Sequence, residues 1–115
     1  LLCVNHEYTH QNILHGPDGL TGGAGVTLQK VRKSQAAHGV SVIEVRKLGA
    51  DWTVVRPSPY ARRITGNTPM TLTGPAAGSP LLQTPADPTG REVLGTLNNC
   101  AHGYTPWGTY LTCEE

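Results

Sequence analysis

The stretch Gly95–Glu115 gathers more chemistry-bearing side chains than any other part of the chain. It holds the thiol of Cys100, the imidazole of His102 and the adjacent carboxylates Glu114 and Glu115. A thiolate is a soft, strongly donating ligand that suits iron or zinc and not calcium. Carboxylates suit hard cations such as calcium or ferric iron. Neighbouring strand residues point to opposite faces, so one cation takes only one of Glu114 and Glu115 unless a bulge intervenes. Glu7, in Asn5–Thr9, is a further acidic candidate, with His6 beside it as a group that could orient a ligand. Each candidate also has a plainer reading. Cys100 could be a small buried hydrophobe, and the acid pair a solvated end. Arg62 and Arg63 could clamp a phosphate but read first as a solvated face. Trp107 reads first as packing for its turn, and Asp87 as a turn residue. No Ser, Thr or Asp sits in a recognisable nucleophile motif, so no catalytic residue is assigned.

The elements that must position these groups are short. The 115 residues allow one small domain at most. Apolar content is 37% and aromatic content 5%, with no Phe, below the roughly 45–50% apolar of ordinary domains. A self-sufficient core is not expected. The 14 Gly and 9 Pro make loops dominant. A net charge of +1 with mixed signs gives no electrostatic case for nucleic acid or an anionic membrane surface, and no apolar run is long enough to span a membrane. Three cysteines leave open one disulfide plus a thiol, or none. Leu1–Val4 reads as a buried strand ending in the polar cluster at Asn5. Residues 10–25 read as a Gly-punctuated loop, and 27–38 as one short helix capped by Gly39. Val40–Val45 and Asp51–Val55 read as a hairpin across a Lys47–Ala50 turn. Arg91–Leu97 and Thr109–Cys113 read as strands. The sum is an all-β chain with one short helix and long loops.

Six blocks carry a resemblance. They are Asn5–Thr9 (NHEYT), Ala37–Val45 (AHGVSVIEV), Ser58–Thr65 (SPYARRIT), Leu72–Gly78 (LTGPAAG), Ala86–Gly90 (ADPTG) and Gly95–Cys100 (GTLNNC) continuing through Thr105–Thr109 (TPWGT) to Cys113–Glu115. In this order they resemble the PhoX-type bacterial alkaline phosphatases, from end to end of the chain. The resemblance implies metal-dependent hydrolysis of small phosphate monoesters. It implies a β-propeller with a mixed iron and calcium cluster, and export in folded form by the twin-arginine route to the periplasm or beyond. Residues 1–115 would then be a partial domain, one to two blades from the N-terminal part of a longer enzyme and inactive alone. Leu1 in place of Met agrees with a truncated start. The family's iron-binding Cys matches Cys100, and the family's placement of carboxylates after the Cys strand makes Glu115 the preferred ligand of the acid pair. Two departures are visible: His102 stands where the family often has Gly, and the 10–25 loop is shorter and richer in Gly.

A competing expectation is a non-catalytic propeller piece that binds calcium and presents an interaction surface. Cys100 discriminates, because a calcium-only module has no use for a thiolate. A small disulfide-stapled domain fits poorly, because such scaffolds have far more Cys.

Overall fold

The computed structural model describes residues 1–114. The chain is mostly strands: β1 (Leu2–His6), β2 (Gly39–Ile43), β3 (Val45–Leu48), β4 (Asp51–Val54), β5 (Arg62–Ile64), β6 (Pro69–Thr71), β7 (Glu92–Leu94), β8 (Asn99–Tyr104) and β9 (Tyr110–Glu114). Two α-helices, α1 (Gln11–His15) and α2 (Leu28–Ala37), and a 3-10 turn at Pro80–Leu82 complete it. The expectation of one helix is thus corrected. The short α1 lies inside the supposed 10–25 loop, where the His10 side chain caps its start by accepting from the Ile13 N–H. Five residues are too few for a 3.6-residue period to show.

All strand pairing is antiparallel. The order β1-β2-β5 forms a three-stranded sheet, and β3-β4, β6-β7 and β8-β9 form separate two-stranded units. The expected hairpin is therefore split. Residues 40–43 belong to the central strand of the first sheet, with Val40 and Val42 buried on one face and Ser41 on the other, where it meets His6. The hairpin starts at Val45, which lies opposite Val54. Glu44 is the break: its carboxylate accepts the Ser58 hydroxyl, and its carbonyl accepts the Val55 N–H at 2.9 Å.

Helix α2 begins at Thr27, whose hydroxyl accepts the Lys30 N–H. Its end is held from outside. The Arg63 guanidinium donates to the carbonyls of Ala36, Ala37 and His38 at 3.2, 3.0 and 2.8 Å, and to Ile64 O. These are the orphan carbonyls of a helix C-terminus, which a cation suits. Gly39 opens β2 at φ +107°, where a Cβ would come within 2.2 Å of Ile64 O. The C-cap itself is His38, not Gly39. Lys30 ties down the preceding loop by donating to the carbonyls of Gly19, Leu20 and Gly22 at 3.2, 3.1 and 2.7 Å.

The core is thin. Among the described residues the buried apolar side chains are Val40 and Val42, both on one face of β2. The radius of gyration is 17.3 Å, against about 13 Å for a compact domain of this length. Trp52, Trp107, Leu81 and Tyr104 are exposed. The strand Leu1–Val4, expected to be buried, is half-buried at best. This is what the low apolar content foreshadows: four small strand units with little to pack between them.

Candidate metal centre

Strands β8 and β9 carry the candidate ligands. Asn99 lies opposite Glu114, and His102 opposite Thr112. Between those pairs the register shifts, so Cys100 and Ala101 sit in a bulge. A bulge re-aims side chains and leaves backbone groups unpaired. Here they are not left unpaired. The Asn5 side chain, nearly a hundred residues away, donates from Nδ2 to Cys100 O at 3.4 Å and to Ala101 O at 3.2 Å. Its Oδ1 accepts from the Tyr110 hydroxyl at 2.8 Å and the Thr112 hydroxyl at 3.1 Å. One amide thus joins β1 to both strands of the β8–β9 unit.

Cys100 is exposed and its thiol is free, as are those of Cys3 and Cys113. Within this chain Cys100 is therefore not the buried hydrophobe of the plainer reading. Glu114 is engaged. Its Oε1 accepts the Leu97 N–H at 3.0 Å, and its Oε2 lies 3.5 Å from the Thr96 hydroxyl. The carboxylate closes the β7–β8 connection, where Asn98 takes a left-handed φ of +48°. Asn99 is wholly buried. Its Nδ2 donates to Thr96 Oγ1 at 2.7 Å, and its Oδ1 has no partner among the described residues. Glu115 lies outside the described residues. Glu7 is half-buried, and no hydrogen bond or ion pair engages its carboxylate among the described residues.

His6 pairs with Ser41 Oγ at 2.8 Å. Burial, and then the Arg63 charge, hold its pKa below the usual value. Arg63 is committed to the α2 terminus and is not a phosphate clamp; Arg62 is exposed and reaches Tyr60 O at 3.4 Å. Trp107 is 79% exposed, so the packing reading fails within this chain. His102 stacks on Tyr110, ring centroids 6.0 Å apart. Asp87 is the turn residue its motif suggests. It accepts from the Thr89 hydroxyl and the N–H groups of Thr89, Arg91 and Glu92, which pull its pKa down to about 2. A cleft of about 820 Å³ separates the first sheet from β8–β9 and is lined by Cys3, Val40, Val42, Ile64, His102 and Tyr110 among others. Cys100, Glu114 and Glu7 do not line it.

Among the described residues no three His, Cys, Asp or Glu side chains are placed to hold one ion. The donors fit a share of a metal shell and not a whole one. Cys100 fits: an accessible, unengaged thiol on a braced bulge. The partnerless amide oxygen of Asn99 beside it is consistent with an incomplete environment. Glu114 fits less well, because its oxygens already serve the backbone.

A strand-rich chain with a thiol-bearing bulge thus agrees with the class the six blocks suggest. The profile of the family described as alkaline phosphatase PhoX matches residues 1–115. The chain belongs to the PhoX alkaline phosphatase family. Among solved structures it is similar to Pseudomonas fluorescens PhoX in complex with vanadate, a transition state analogue, at 50% identity and a TM-score of 0.85. The match covers 98% of this chain and 19% of that one, so this chain spans about a fifth of that protein's length. No curated protein matches.

Proposed function

We propose that this chain is part of a metal-dependent phosphomonoesterase that hydrolyses small phosphate monoesters with iron and calcium. The observation that carries the reading is the 50% identity, over nearly the whole chain, to a PhoX that was captured with vanadate. Iron and calcium, when bound, neutralise the non-bridging oxygens and the leaving oxygen of the ester. In this reading Cys100 is an iron ligand. Glu115 and Glu7 supply carboxylates to the cluster, and Glu114 holds the loop before β8. The other ligands come from polypeptide beyond residues 1–115.

The antiparallel units are one to two blades of a β-propeller that closes with that further polypeptide, and residues 1–115 are one partial domain of it. The thin core supports this, since the exposed apolar residues need a covering. Family membership supports export by the twin-arginine route to the periplasm or outside the cell. Among the described residues no helix is long and apolar enough to cross a membrane. The competing proposal, a calcium-binding module without activity, is disfavoured by the accessible thiol at Cys100.

The test is the full-length protein assayed on p-nitrophenyl phosphate and bis(p-nitrophenyl) phosphate, before and after chelation. Monoester cleavage that chelation removes, and iron with calcium restores, is expected. Chelator-insensitive cleavage, or no monoester cleavage at full metal occupancy, sinks the proposal.

A further inference from the structure

The sequence draws attention to Glu7 and His6 in the Asn5–Thr9 block, but the residue of that block tied to the thiol site is Asn5. The Asn5 side chain makes four hydrogen bonds, and all four reach β8 or β9. Two go to the carbonyls of the bulge that carries Cys100. Both carbonyls lie where the register shifts between Asn99 and His102, and both accept from the Asn5 amide. The other two go to hydroxyls on the opposite strand. A single planar amide therefore sets the spacing between the bulge and β9. Its donor end and acceptor end do different work: the amino group holds β8, the carbonyl holds β9. Asn5 itself sits in β1, where it pairs with Val40 of the buried central strand. The bulge is thereby tied, through β1, to the buried central strand of the first sheet.

We propose that Asn5 is a positioning residue for the Cys100 thiol, fixing the bulge backbone so that the sulfur meets the iron in one geometry. This rests on the reading of Cys100 as an iron ligand. A ligand held loosely loses affinity, and groups that orient a ligand typically contribute 10–100-fold. A carboxylate in place of the amide separates the two roles. Asn5→Asp keeps an acceptor for Tyr110 and Thr112 but turns a second acceptor toward the carbonyls of Cys100 and Ala101. Tyr110→Phe does the reverse, removing a β9 contact and leaving the bulge held.

The experiment uses the full-length protein and three readouts: iron content, the visible thiolate-to-iron absorption, and amide hydrogen exchange in peptides covering residues 39–43 and 99–104. Asn5→Asp is expected to lower iron affinity at least tenfold, to shift or bleach the absorption, and to speed exchange in 99–104 while 39–43 stays protected. Tyr110→Phe should keep iron and colour. Asn5→Ala serves if Asn5→Asp fails to fold, with the same expectations. Full iron, an unchanged band and unchanged exchange in the Asn5 variants overturn the proposal. So does faster exchange with iron and band intact, because the bulge would then be free without consequence. Cys100→Ser separates the two ideas. If it keeps iron and colour, Cys100 is not a ligand and the proposal falls with that reading; if it loses both, the Asn5 variants decide.

Discussion

The Oε1 of Glu114 accepts the backbone N–H of Leu97 at 3.0 Å. An acidic side chain at the end of one strand thus closes the turn that leads into its partner strand. The contact occupies a carboxylate that would otherwise read as a free metal ligand, and it separates the roles of two neighbouring acids.

Glu114→Gln is expected to leave phosphatase activity of the full-length protein within about threefold, because the amide oxygen still accepts from Leu97. Its stability change should stay under about 1 kcal/mol, the scale of an exposed polar contact. Glu115→Gln is expected to cost more than about tenfold, or 1.4 kcal/mol, as loss of a charged ligand. Assaying both variants across limiting and saturating calcium checks this. The reverse order of severity moves the ligand role to Glu114.

Arg63→Ala should loosen the end of α2, since the guanidinium serves three of its carbonyls. Amide exchange over Ser34–His38 should accelerate roughly five- to tenfold, a local loss of about 1 kcal/mol. Arg62→Ala should leave that region unchanged. Equal effects from the two would remove the capping role.

His6 is expected to titrate below 6.5 in the folded protein, from burial first and the Arg63 charge second. Its folded pKa is depressed, so the unfolded chain binds the proton more readily. Stability from this group is full above pH 6.5, falls as pH drops through the window below 6.5, and levels off beneath the folded pKa. An NMR titration of His6 checks the direction, and Arg63→Ala should move its midpoint upward. A midpoint at or above 6.5 refutes the assignment.

Asp87 should stay ionised to about pH 2. Its folded pKa is lowered, so the order it brings to the turn persists above the usual carboxylate range and is lost as pH falls through about 2. Asp87→Asn keeps one oxygen acceptor and loses the other, so the N–H groups of Arg91 and Glu92 should exchange faster at neutral pH. Unaltered exchange there would mean that the turn holds without the carboxylate.

Residues 1–115 expressed alone should lack phosphatase activity and bind a hydrophobic dye or aggregate, given that Val40 and Val42 are the buried apolar side chains among the described residues and that strand edges are unpaired. Size-exclusion chromatography and a p-nitrophenyl phosphate assay against a metal-free control test this. A monomeric, active 115-residue protein would contradict it.

Composition and turn chemistry were enough to read an all-β chain with little core, because strand propensity, Gly and Pro act locally. Helix α2, the turn at Asp87 and the strand after Arg91 were legible for the same reason. The six blocks carried the family, and Cys100 stood out by its chemistry. Tertiary structure alone decided the rest. Residues 40–43 left their expected hairpin because β1 and β5 pair with both edges of β2. Arg63 is a helix cap and not a phosphate clamp because β5 runs beside the end of α2. Asn5 holds the Cys100 bulge across nearly a hundred residues. No local pattern encodes such contacts, because a side-chain amide has no preferred partner until the fold brings one within about 3 Å.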